Sequence, residues 1–154
     1  GLYRRSMYTI WKRTAAPPSM LLFDAPNREI CFPKRSRTNT PLQALALLNE
    51  VTYVEASRAL AERMMKEGGD TIESRLSMGF RLVTSRTPDA YTVKVLKKGF
   101  EGRRKKFEKD IVGAKSLITQ GSSKPDPSLA LPELAAYSTT ASILLNLDRV
   151  ITKD

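Results

Sequence analysis

Apolar residues change their spacing near position 40 of this 154-residue chain. Upstream, Pro17, Pro18, Pro26 and Pro33 interrupt short apolar groups so often that no long helix fits, and the pattern predicts extended, turn-rich backbone. Only "YRRSMYTIWKRT" leaves room for a short helix, with Tyr3, Met7, Ile10 and Trp11 along one side. Downstream the period becomes helical. Thr40-Pro41-Leu42-Gln43 reads as a capping box: Thr40 accepts from the Gln43 amide, Gln43 reaches back, and Pro41 occupies a first-turn position that needs no donor. The run Leu42, Ala44, Leu45, Ala46, Leu47, Leu48 is apolar around most of its circumference, which predicts a helix buried on several sides at the centre of the core. A second box, Thr52 to Glu55, predicts a break near Asn49 and a restart before Tyr53, Ala56, Leu60 and Met64, ending at Gly68-Gly69.

Asp70 to Glu73 reads as the next cap, followed by Ile72, Leu76, Phe80 and Val83 at helical spacing to about Thr84. Thr87-Pro88 repeats the signature. Tyr91, Val95, Leu96, Phe100, Phe107, Ile111, Ala114 and Leu117 then carry the period toward Gln120, as one long helix or two shorter ones. "GSSKPDPS" is a loop, and Pro132 opens a last helix through Leu144 and Leu145. With no sustained strand alternation, the expected fold is all-α: one domain over residues 1–154, made of an irregular Pro-rich arm (1–40) on a bundle of about five helices (41–154). The arm should wrap over the bundle, since it contains Leu21, Leu22, Phe23, Ile30 and Phe32. Starting without Met, the chain reads as a piece of something longer. Asn49 and Asn146 close matching Ala-x-x-Leu-Leu-Asn runs, and the expectation is that both act as C-caps in the left-handed conformation.

A single cysteine and no histidine exclude nucleophile–imidazole sites, CxxCH haem attachment and most zinc arrangements. Carboxylate chemistry remains. Cys31, between Ile30 and Phe32, is expected to be buried and inert. No stretch approaches a membrane span. The net charge of +10 is concentrated in residues 1–38 and 94–109, each with eight basic and two acidic residues. Such surfaces meet nucleic acid, acidic polysaccharide or acidic partner domains, or are simply solvated helix faces. No helix-turn-helix, zinc finger or aromatic-interleaved RNA motif accompanies the charge, so nucleic acid is disfavoured.

The richest polar constellation precedes the Thr40 cap: Asp24, Arg28, Glu29, Arg35, Arg37 and Asn39, joined by Asp148 and Arg149 from the chain end. Carboxylates held with arginines can do acid–base work or clamp a sugar or carboxylate. They also tie irregular backbone onto a helical core, and that structural role is the expectation here. Arg37 should lie where the chain enters the core, with Asp24 or Glu29 as a buried ionic partner. Trp11, Tyr3 and Tyr8 suit sugar stacking but are expected in the core as the apolar side of the arm.

Four stretches, "RRSMYTIWKRTAAPPSM", "FDAPNREICFPKRSRTNTPLQALALLN", "YVEASRALAERM" and "ELAAYSTTASILLNLDRVITKD", together resemble a C-terminal conserved domain of unknown function from large planctomycete proteins that also carry an N-terminal cytochrome c domain. Residues 68–128 are only loosely similar. Relatives commonly have proline where this chain has Val51, and often Trp where it has Tyr137. The resemblance implies a periplasmic or secreted multidomain protein whose haem sits on a region absent here. It transfers no catalytic residue, and no cofactor or metal is expected on this chain. The leading functional expectation is therefore an interaction or scaffold module whose partners are other domains of its own polypeptide. A carbohydrate-binding or hydrolase-type domain using the Asp/Glu/Arg cluster, with acidic polysaccharide as a candidate partner, and nucleic-acid binding through the basic stretches are the alternatives. Whether the chain is an enzyme stays open, with the balance toward a non-catalytic module.

Overall fold

Thr40 starts the first long helix as its sequence predicts. Its hydroxyl accepts from the Gln43 amide at 3.3 Å, and the Gln43 carbonyl oxygen accepts from the Thr40 amide at 2.9 Å. The computed structural model describes residues 6–12, 16–26, 31, 33–34 and 36–152. Among these, a 3-10 turn at Ser6–Tyr8 is followed by α1 (Pro18–Leu22), α2 (Pro41–Asn49), α3 (Val51–Glu67), α4 (Ile72–Thr84), α5 (Ala90–Lys109), α6 (Ile111–Ile118), α7 (Leu131–Leu145) and α8 (Asp148–Ile151), with no β-strand. The all-α bundle is as expected.

Several boundaries move by a residue or two, because the residue with a free β-region backbone takes the cap. Thr71 rather than Asp70 caps α4, accepting from Ser74. Asp89 rather than Thr87 caps α5, accepting from Thr92. At α3 the N-cap is Glu50 with no side-chain bond, while Thr52 donates to the Glu50 carboxylate. The alternative of one long helix or two after residue 90 resolves at Asp110, which ends α5 and caps α6 by accepting from the Gly113 amide at 2.8 Å. Asn49 and Asn146 do stand at helix ends, but neither is left-handed; among described non-glycine residues only Asp24 and Ser85 have positive φ. Asn49 instead donates its side-chain amide to the Leu45 carbonyl.

The centre of the bundle is α7, which packs against α2, α3, α4, α5, α6 and α8. Its buried residues are mostly small: Ala135, Ala136, Ser138, Thr140 and Ala141. Small side chains let neighbouring backbones approach from several directions at once. The hydroxyls of Ser138, Thr139 and Thr140 donate to the carbonyls four residues back, so they add no unsatisfied polar group to the core. Larger residues of the flanking helices, Met64, Leu76 and Phe100, fill the space around α7, and Phe100 lies over Tyr137 with ring centres 4.2 Å apart. Gly79 of α4 admits Met64 of α3, whose sulfur would stand 2.6 Å from any Cβ added there.

This placement corrects the reading of α2 as the central helix. Leu42, Leu45 and Leu48 are 60%, 57% and 46% exposed, and the buried side chain of α2 is Gln43. With α3 and α7 as its main neighbours, α2 cannot hide leucines on all sides. Two further expectations are reversed: Cys31 is exposed rather than buried, and Tyr8 stands in solvent rather than in the core, as do Met7 and Ile10 beside it. Trp11 is half-buried. Tyr3, Ile30 and Phe32 lie outside the described residues.

Candidate functional site

The segment entering α2 is bound to the bundle by side chains the sequence singled out. Asp24, held at φ 59° after α1, turns its carboxylate onto Thr38 and accepts from both the amide and the hydroxyl of that residue at 2.8–2.9 Å. Gln43 completes the knot. While its carbonyl oxygen closes the capping box, its amide donates to the Leu22 carbonyl at 2.7 Å and to the Thr38 hydroxyl at 3.0 Å. One buried glutamine thus links the end of α1, the entering strand of chain and the start of α2. From the other end of the sequence, Asp148 accepts from the Asn39 side-chain amide at 2.6 Å.

Of the eight residues proposed from sequence, the fold brings Asp24 and Arg37 to one open cleft of about 340 Å³, shared with Phe23, Thr38, Gln43 and Val150. Asn39 and Asp148 bond to each other. Arg149 is exposed on α8 and acts on a different group: the Asp89 carboxyl is held below the usual carboxylate range mainly by hydrogen bonding from Thr92, with the Arg149 charge a smaller contribution. Arg28, Glu29 and Arg35 lie outside the described residues. Arg37 is exposed, which corrects the expectation of a buried arginine at the entry to the core. The chain turns inward one residue later, and Thr38 and Gln43 carry the anchoring. Both Asp24 oxygens already accept hydrogen bonds from Thr38, an arrangement suited to fixing backbone rather than to proton transfer.

A second polar centre was not read from the sequence. Glu55 and Arg58 of α3 are 5% and 3% exposed and form an ion pair at 3.5 Å. Arg58 donates to the carbonyls of Ile118, Gln120 and Ser123 at 2.6, 2.9 and 2.9 Å, and Glu62 lies 3.7 Å from its Nε. Glu55 accepts the amides of Ser122 and Ser123 at 3.1 and 2.7 Å, and the Ser123 hydroxyl touches both charged groups. A guanidinium supplies five donors in a rigid fork, enough to take up the carbonyls left over at the end of α6. Gly121 makes this possible: its φ of 97° is a conformation other residues rarely adopt, and a Cβ there would run into the Glu55 carboxylate. The available sequence signal was an acid and a base three apart on the face of α3 that also carries Ala61 and Met65. Its partners lie sixty or more positions away, so spacing alone assigned Glu55 to a cap.

Beside this centre, Asp126 pairs with Lys66 and accepts from Ser128. Its carboxyl is held well below the usual range, chiefly by the hydrogen bond from Lys66 and then by those from Ser128. Deeper in the bundle, burial pushes the Tyr137 phenol up. No three His, Cys, Asp or Glu residues gather in a metal-binding group among the described residues, and no described helix is long and apolar enough to cross a membrane.

The model of one protein family, PSD1, described as a protein of unknown function (DUF1553), matches residues 1–100. No curated protein and no solved structure matches the chain.

Proposed function

The chain belongs to the PSD1 family of proteins of unknown function (DUF1553), and from that premise we propose that it is an interaction module of a longer polypeptide, with the leucine face of α2 as the seat for a neighbouring domain. The observation that carries this reading is the exposure of Leu42 and Leu45, which line one apolar groove, with the exposed Leu48 and Val51 further round the α2–α3 corner. Singly exposed apolar residues are ordinary, but a contiguous set on one helix is not. Beside them runs a groove of about 510 Å³ between α1 and α2, lined by Pro18, Leu22, Phe23, Leu42, Leu45 and Tyr53, with Asn49 and Glu50 at its polar edge. An apolar floor with a polar rim is how a docking surface is built.

The resemblance to secreted or periplasmic planctomycete-type proteins with a cytochrome c domain supports this reading, since it implies other domains on the same polypeptide, one of them the haem carrier. A hydrolase using the Asp/Glu/Arg cluster has less support, because Asp24 is committed to Thr38. The test is thiol labelling of a Cys31→Ser/Leu45→Cys variant. In the isolated chain the new thiol should react as fast as an exposed cysteine, and in the full-length gene product it should be protected. Equal rates in both would overturn the proposal.

A further inference from the structure

Between residues 94 and 109, α5 carries eight Lys and Arg against two Glu, and the fold divides these cations by use. Lys97 pairs with Glu73, Arg104 with Glu108 at 3.3 Å, and the half-buried Arg103 donates to Thr140 at 3.2–3.3 Å. Lys94, Lys98, Lys105, Lys106 and Lys109 are all exposed, and among the described residues none of them enters an ion pair; Lys106 points to another side of the helix, leaving Lys94, Lys98, Lys105 and Lys109. At about 100° per residue these four fall within an arc of about 60°, so they form one straight row about 22 Å long. Of the nearby acids, Glu101 is half-buried and acts on Lys97, whose pKa it helps to raise, Glu108 pairs with Arg104, and Asp110 caps α6.

Gly102 sits between Lys98 and Lys105, four residues after one and three before the other. Glycine weakens a helix relative to alanine, and is usually retained where something packs against it. Gly99 fits that rule, since a Cβ there would meet the Arg103 guanidinium at 2.9 Å. Gly102 does not, because an added Cβ would meet nothing within 4 Å. A bare stretch of backbone is thus left along one edge of the lysine row, with no contact among the described residues that requires it.

We propose that this row binds a linear anionic polysaccharide, laid along α5 with its chain against Gly102. Lysines are compact point charges that suit repeated carboxylate or sulfate groups without demanding one geometry. The row holds no Asn, Gln or Arg to read base edges, and no exposed aromatic ring alternates with its lysines: Phe100 is buried, Phe107 half-buried, and the exposed Tyr91, one turn before Lys94, offers a single stacking face.

Titration with heparin, with polygalacturonate and with a DNA duplex of matched charge, all at one salt concentration, tests the proposal. At least one polysaccharide should bind more tightly than the duplex, and which one binds identifies sulfate or carboxylate as the group recognised. Lys98→Ala/Lys105→Ala should weaken that binding on the order of tenfold and flatten its salt dependence by about two ions. Lys34→Ala/Lys124→Ala, which removes equal charge from exposed positions elsewhere, should leave it near wild type. Gly102→Ala should raise the melting temperature by about 2–4 °C while weakening polysaccharide binding, a combination that damage to the fold cannot produce. Absence of polysaccharide binding, tighter binding of the duplex, equal losses in the two lysine pairs, or wild-type affinity in Gly102→Ala would each overturn it.

Discussion

Glu55 and Arg58 hold one loop residue from two sides: Glu55 accepts the Ser123 amide at 2.7 Å, and Arg58 donates to the Ser123 carbonyl at 2.9 Å. Breaking such a buried pair strands a charge, which typically costs about 3–5 kcal/mol. Arg58→Leu should show a loss of that size in urea unfolding. Arg58→Lys should recover little of it, because an ammonium cannot span the carbonyls of Ile118, Gln120 and Ser123 together. A lysine variant within about 1 kcal/mol of wild type would show that charge alone secures the loop.

The same loop depends on Gly121. Any side chain there must adopt a left-handed backbone and displace the Glu55 carboxylate. Gly121→Ala is expected to lower stability by about 1–3 kcal/mol. Amide exchange should accelerate at Ser122 and Ser123, whose amides Glu55 accepts, before it does in α7. Uniform acceleration throughout the bundle would contradict this local account.

At the entry to α2, burial decides which polar residue matters. Gln43 is 1% exposed and serves the cap, Leu22 and Thr38, so Gln43→Ala should cost about 2 kcal/mol, combining a lost cap with unsatisfied buried partners. Arg37 is exposed, and Arg37→Ala should cost about 0–1 kcal/mol. Thermal unfolding of the two variants side by side checks the order, and a larger loss for Arg37→Ala would reverse it.

The Lys66–Asp126 pair sets a pH dependence of known sign. Because the folded Asp126 carboxyl lies below its ordinary value, its contribution is fully present above the unfolded aspartate range. That contribution is lost as pH falls from about 4 toward the lower folded value. Lys66 is raised by the same hydrogen bond, so its share is present below the ordinary lysine range and fades as pH rises through the folded pKa. Asp126→Asn should therefore flatten the acid limb of the stability curve, and Lys66→Ala should bring the Asp126 titration back up toward the normal range in an NMR experiment. An Asp126 midpoint that ignores Lys66→Ala would rule out this pairing.

Helix starts, stops and the all-α class were legible in the chain because they rest on contacts three or four residues apart. Thr40 and Gln43 find each other within one turn, and proline next to a capping residue limits the backbone wherever the helix ends up. The tie of the pre-helix segment to the chain end was partly legible too, in Asn39 and Asp148. What only the tertiary structure decided is which helix lies at the centre. Composition pointed to the leucines of α2, yet burial depends on how many neighbours a helix has, and a helix surrounded on several sides needs small side chains. α7 meets that need with Ala135, Ala136 and Ala141, and with hydroxyls that read as polar in the sequence but bond to their own backbone once folded. The Glu55–Arg58 centre was hidden for a related reason: a charged pair is stable inside a protein only if its remaining hydrogen bonds are met, and the groups that meet them come from the end of α6 and the loop after it, sixty or more residues downstream.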